Sequence, residues 1–126
     1  MAGRIVTSTI NDDTGVLATQ NGMTGIPKAW CNFNGTSGAS IRASYNVSSI
    51  TRNSTGVYTV NLTTAMANAN YAVCGGVAYQ AGFASNPVFE VDSTAAISTS
   101  SFQFYVVTGN QSVTDANFIY FAVLGT

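Results

Sequence analysis

From residue 28 onward the chain alternates apolar and polar residues in short runs separated by glycines and small polar residues. Tyr58, Val60 and Leu62 recur at every second position, the period of a half-buried β-strand. Ile50 lies on a strand ahead of them, and Asn53-Ser54-Thr55-Gly56 supplies the chemistry of a turn, so residues 48–63 read as a hairpin. Residues 28–33 read as a strand with Trp30 as its largest residue, closed by Asn34-Gly35. Residues 41–47 alternate with Ile41, Ala43, Tyr45 and Val47 on one face. Residues 71–79 follow as a strand in which Gly75-Gly76 predicts a bulge or a close backbone approach. Residues 88–91 form a short strand. Residues 97–107 form a long one with Phe102, Phe104 and Val106 on one side and Tyr105 and Val107 on the other, and residues 118–124 close the set. Only residues 65–70 have the composition of a helical turn. About eight short strands with turn signals between them predict an all-β, jelly-roll-like β-sandwich spanning residues 28–126.

Residues 1–27 do not share this pattern. Residues 4–10 have β propensity with mixed alternation, Asn11–Gly15 reads as a turn, and residues 16–27 bring further glycines and Pro27 with little periodicity. This segment is expected to be an extended N-terminal arm; the competing reading is an edge strand and loop of the main domain.

Residues 102–107 and 118–124 are apolar on both faces, whereas a two-layer sandwich buries one face of each sheet. The second face is expected to meet a neighbouring subunit, with Phe102, Phe104, Tyr105, Phe118 and Tyr120 as candidate contact residues. A loop covering a central strand would serve the same need.

Composition sharpens this picture. Of 126 residues 46% are hydrophobic and only 7% charged, against roughly 25% charged in an ordinary soluble domain. Twelve Asn, 13 Ser and 16 Thr supply the polar surface instead. A net charge of −1 gives little self-repulsion, so a homo-oligomer is expected, held by apolar burial and nearly insensitive to salt. Four scattered cations, Arg4, Lys28, Arg42 and Arg52, cannot track a phosphate backbone, which argues against nucleic-acid binding. No apolar run reaches the roughly 18 residues a membrane span requires, and no signal-peptide core follows the N-terminus, so synthesis in the cytoplasm without membrane insertion is expected.

The chain has no histidine, which removes Ser-His-Asp triads and His-containing zinc sites; no cofactor or metal is expected. Glu90 and Asp92 share one side of a strand, a spacing that suits glycoside hydrolysis or calcium, but no other acid is close in sequence, so a solvated face paired with Arg42 or Arg52 is expected. Cys31 and Cys74 are expected as free, buried thiols, with a disulfide between their strands as the alternative. Asn-X-Ser/Thr sequences at Asn34, Asn46, Asn53, Asn61 and Asn110 follow from composition alone. The loop carrying Tyr79, Phe83 and Asn86 combines aromatic rings with amides, the chemistry of a glycan-contacting surface, although the rings also suit a core edge or a subunit contact.

Four runs carry a family resemblance: Lys28-Ala-Trp-Cys-Asn-Phe-Asn-Gly-Thr36, Ile41-Arg-Ala-Ser-Tyr-Asn-Val-Ser-Ser-Ile-Thr51, Gly56-Val-Tyr-Thr-Val-Asn-Leu-Thr-Thr-Ala-Met66 and Asn68-Ala-Asn-Tyr-Ala72. Together they resemble a domain of fibre-like and appendage proteins in the virions of tailed bacteriophages, particularly marine ones. The closing Ile119-Tyr-Phe-Ala-Val-Leu-Gly125 resembles that domain's last strand. The resemblance implies a non-enzymatic virion protein, commonly trimeric, that attaches to other virion proteins through residues 1–27 and contacts the host surface, with a host glycan as one possible partner. Only about 27 residues precede the domain, little for a fibre shaft, so a capsid-decoration protein is the alternative. Relatives carry an aliphatic residue at the position of Cys31, which implies a small core residue there, and an acid at the hairpin tip where this chain has Arg52.

Overall fold

The computed structural model describes residues 9–12, 15–18, 26–82, 85–95 and 97–125. Ten strands form among them: β1 (Thr9–Asp12), β2 (Gly15–Ala18), β3 (Ala29–Asn34), β4 (Ser40–Tyr45), β5 (Val47–Ser54), β6 (Val57–Leu62), β7 (Ala72–Val77), β8 (Val88–Val91), β9 (Ser101–Val107) and β10 (Ile119–Leu124). Eight of them build a β-sandwich of two antiparallel four-stranded sheets. The front sheet has the order β4-β3-β10-β7 and the back sheet β5-β6-β9-β8. Within the segment expected to be an arm, β1 and β2 pair with each other and with neither large sheet. Residues 65–70 contain no helical turn; Met66 instead anchors that segment in the core.

Period-two alternation decides what each strand buries. Tyr58, Val60 and Leu62 of β6, Phe102, Phe104 and Val106 of β9, and Ile119, Phe121 and Val123 of β10 point inward, meeting Ala29, Cys31 and Phe33 of β3. Aromatic rings fill the centre. Tyr58 and Phe89 stack against Phe104 at 5.3 and 4.4 Å between centroids, while Phe33 meets Tyr58 and Phe102 meets Phe121 edge-on, each at 5.4 Å. Each such pair adds about 0.5–1.5 kcal/mol beyond area burial. Phe102 and Phe104 are 1% and 0% exposed, which corrects their expected place at a subunit contact. The sandwich needs that face of β9 for its own interior, and a residue enclosed there cannot touch a neighbour.

The alternation over residues 41–47 also divides differently from the expected single strand. Tyr45 ends β4 in the front sheet and Val47 begins β5 in the back sheet. Asn46 makes the corner between them at φ 57°, a left-handed conformation that Asn tolerates better than most residues. Its side-chain amide donates to the carbonyls of Lys28 and Thr64, both at 3.0 Å, and its Oδ1 accepts from the Thr64 amide at 2.7 Å. One side chain therefore ties three segments where the chain changes sheets.

Gly75 closes the opposite side. The β7–β10 register runs without a bulge, so the glycine pair serves close approach instead. A Cβ on Gly75 would lie 2.6 Å from the Phe89 ring, so only glycine lets β7 close over the residue that stacks on Phe104.

Asp115 fixes the hairpin tip. Arg52 on β5 donates from Nη2 to Oδ2 at 2.7 Å and from Nε to Oδ1 at 3.0 Å, while the Gly56 amide and the Tyr58 hydroxyl reach Oδ1 at 2.9 and 2.7 Å. Burial alone would raise the Asp115 carboxyl, but the bonds from Arg52, Gly56 and Tyr58 outweigh it and hold the group below its ordinary range. Burial, and then the carboxylate beside it, push the Tyr58 phenol above its usual range, so it stays a neutral donor.

Two outcomes follow. Gly75→Ala should cost about 1–3 kcal/mol by overpacking against Phe89, read from denaturant unfolding; an unchanged midpoint would mean that the ring does not hold that space. A carboxyl depressed on folding gives stability that is complete above its unfolded pKa of about 4 and is lost as pH falls through the lower folded value. Asp115→Asn should therefore flatten the loss of stability below pH 4 and lower stability at pH 7. Parallel acid-unfolding curves for variant and parent would contradict this.

Candidate functional site

The sandwich leaves two outer faces, and they differ in chemistry. On the back sheet a polar ladder crosses the strands: Asn53 Nδ2 donates to Thr59 Oγ1 at 2.8 Å and to Gln103 Oε1 at 3.1 Å, and Gln103 Nε2 donates to Asp92 Oδ2 at 3.0 Å. The Tyr105 hydroxyl donates to the same carboxylate oxygen at 2.9 Å, and Asn61 Nδ2 reaches Ser49 Oγ at 3.1 Å in the neighbouring row. This face satisfies itself.

Asp92 is held by these bonds and by Thr94, whose amide and hydroxyl both reach Oδ1 at 2.7 Å. Four donors use the acceptor capacity of a carboxylate. The Thr94 hydroxyl first, against the opposing effect of burial, and then the Thr94 amide and Tyr105 hold the group well below the usual carboxylate range. The exposed Glu90 lies opposite Tyr105 on the same outer side, as its spacing predicted. Neither carboxylate takes the expected arginine, because Arg52 is bound to Asp115 and Arg42 lies on the front sheet. An Asp92 so occupied is a brace between strands and a poor general base.

The front sheet presents aromatic rings with no such ladder. Strand register sets the rows: Tyr45, Trp30, Ala122 and Cys74 cross the four strands together, and Ala43, Asn32, Tyr120 and Gly76 form the next row. Phe118 begins a further row beside Ala78, whose amide donates to the Phe118 carbonyl at 3.0 Å. Trp30, Tyr45, Phe118 and Tyr120 are 42%, 59%, 49% and 48% exposed. Tyr120 covers Gly76, where a Cβ would lie 2.7 Å from the ring, so one side of the ring rests on backbone and the other is presented outward. Trp30, Asn32, Cys74, Tyr120 and Ala122 line a shallow depression of about 500 Å³.

A cation stands at each end of this aromatic band. The Arg42 guanidinium lies 3.9 Å above the Phe118 ring and contacts Asn32 Oδ1 at 3.4 Å. Lys28, whose amide donates to the Val123 carbonyl, borders a groove of about 450 Å³ with Tyr45, Asn46 and Thr64. Neither cation forms an ion pair among the described residues, where Arg52–Asp115 is the pair present.

The chain matches no family model, no curated protein and no solved structure. Of the residues expected at a subunit contact, Phe118 and Tyr120 lie on the front face, Tyr105 is half-buried and bonded to Asp92, and Phe102 and Phe104 are core. In the expected receptor loop Tyr79 is 76% exposed and Asn86 is exposed, while Phe83 lies outside the described residues. Trp30, Tyr45, Lys28 and Arg42 were not singled out as site residues. The available signal was the pairing of Cys31 with Phe33 at period two, which turns Trp30 outward despite its size.

The two cysteines point to opposite sides. Cys31 is buried with its thiol pushed up to about 11 by burial, whereas Cys74 is exposed beside the depression, which corrects the expectation of two buried thiols; both are free. A thiol reagent should titrate Cys74 alone in the native protein, with Cys31 reacting only on unfolding and no native signal from Cys74→Ser. Two fast thiols, or none, would contradict the placement.

Proposed function

We propose that this chain is a non-enzymatic structural protein of a tailed-phage virion, a fibre-like or tail-appendage component that works by surface contact. The observation that carries the contact role is the inequality of the two outer faces: one is crossed by a polar ladder and the other presents Trp30, Tyr45, Phe118 and Tyr120. The virion assignment draws on the resemblance in roughly residues 28–75 and in residues 119–125. In this reading residues 1–27 hold the chain to its trimer and to other virion proteins, and the front face is turned to the host. Mechanistically the sandwich supplies a fixed platform: the Asn46 corner and the Asp115 clamp hold the sheets in register, so binding loses little freedom on the protein side.

The second reading is a capsid-decoration protein whose front face seats on the shell. Phe118 and Tyr120, each about half exposed on that face, favour it equally. Quantitative mass spectrometry of purified virions against the major capsid protein separates the two. A few to a few dozen copies per particle is the expected result; a count in the hundreds would replace the appendage by the decoration protein, and absence from particles would overturn both.

A further inference from the structure

We infer that the edge of the front sheet at β4 takes an added strand from a second copy of this chain, with that copy's β2 hydrogen-bonded along β4 and its β1 outside. The inference rests on the reading of residues 1–27 as the segment that joins copies, and it names the surface at which they join.

The open edge is the first support. β4 pairs with β3 alone, and all six of its residues are exposed. The other three edges are short, irregular or accompanied: β8 has four residues, β5 leaves register with β6 at two places, and β7 lies against β8. An unpaired strand presents alternate N–H and C=O groups as a template for another. The core also stops short beneath β4: Cys31 is 1% exposed, whereas Ser44, its partner in the same row, is exposed. Arg42 interrupts the register with β3, which leaves Ala43, Ser44 and Tyr45 as the regular stretch beside the Asn46 corner.

The hairpin is the second. Two strands of four residues are too little sheet to stand alone in water, yet among the described residues β1 and β2 pair only with each other. Residues 19–28 reach about 33 Å when extended, enough for the chain's own β4, and that edge is nevertheless open. The two sequences divide the roles. Gly15-Val16-Leu17-Ala18 has no polar side chain and reads as a strand flanked on both sides, whereas Thr9-Ile10-Asn11-Asp12 carries the polar and charged residues of an edge.

Register and charge are the third. Run antiparallel, as every pair in this fold runs, β2 sets Leu17 opposite Ser44, and the row of Cys31 and Ser44 continues through Leu17 to its partner Ile10. The added strand extends the sheet sideways and leaves the front face open. The hairpin end at Asp12, with Asp13 next in sequence, then comes to the groove that Lys28 borders. Lys28 has no ion pair among the described residues, while Asp115 is held by Arg52, and Glu90 and Asp92 stand on the back-sheet side. The contact is head-to-tail, the kind that closes copies into a ring.

The test uses the full chain with Cys74→Ser as background, which leaves the buried Cys31 as the native thiol. In the inferred register Ala18 stands opposite Ala43 of the next copy. Chains bearing Ala18→Cys are mixed with chains bearing Ala43→Cys and treated with a short bismaleimide. A covalent dimer should form in the mixture and in neither sample alone. In sedimentation the parent should associate as its concentration rises, and Leu17→Asp should weaken that association at least tenfold with an unchanged circular dichroism spectrum. A chain that stays monomeric at millimolar concentration, an oligomer with no link between residues 18 and 43, or an association untouched by Leu17→Asp would overturn the inference. So would linking within single chains of the double variant Ala18→Cys/Ala43→Cys, which would give the hairpin to its own edge. A particle-borne chain that fails these tests sinks this inference and leaves the virion reading standing; a chain that passes them but is missing from particles does the reverse.

Discussion

A two-layer β-sandwich can bury one face of each sheet, so every such domain has to reconcile two outer faces with water. This chain has few charged residues with which to do it. On the back sheet the answer is a ladder of amides and hydroxyls in which Asn53, Thr59, Gln103, Tyr105 and Asp92 satisfy one another. On the front sheet the strands carry Trp30, Tyr45 and Tyr120 instead, and nothing in the monomer covers them among the described residues. An aromatic side chain left half exposed forgoes about half of the roughly 1.5–3 kcal/mol that full burial of a large apolar side chain provides, and covering the face would recover part of that.

The interior ties the two sheets together through a few shared side chains. Phe104 is packed by Tyr58 on its own sheet and by Phe89 from β8, and the tyrosine does double duty by carrying its hydroxyl out to Asp115. The same carboxylate receives Arg52 and the Gly56 amide, so one side chain links the hairpin tip, the loop before β10 and the core. Asn46 and Gly75 play corresponding parts at the two sides of the sandwich, one by filling its hydrogen-bonding capacity and one by having no side chain. Substitutions at these positions act on the platform as a whole, which is why their effects are read as stability and those at Trp30 as binding.

Much of the fold was legible in period-two alternation. The hairpin of β5 and β6, the inward set on β9 and the strands β3 and β10 stand where the pattern placed them, because each has one face that pairs consistently with a core. Alternation is blind to a change of sheet, so Tyr45 and Val47 read as one face although the left-handed turn at Asn46 sends them to different layers. It also cannot say which of two apolar faces is inside: Phe102 and Phe104 were placed at a contact that Phe118 and Tyr120 occupy in part. The site was the least legible feature. Its rows are made of residues from β4, β3, β10 and β7, and only strand order brings Tyr45, Trp30, Ala122 and Cys74 side by side. The Arg52–Asp115 pair, 63 positions apart, was hidden for the same reason.

The central claim, that contact is made by the front face and, as proposed, with a host cell, is tested most directly by hydroxyl-radical footprinting of the chain free and mixed with candidate host cells. Trp30, Tyr45 and Tyr120 should lose reactivity on adsorption while Tyr105 on the back sheet and Tyr79 in its loop remain as in the free chain. Protection centred on Tyr79, or on Tyr105, with Trp30 still reactive would contradict the account and move the contact surface off the front sheet.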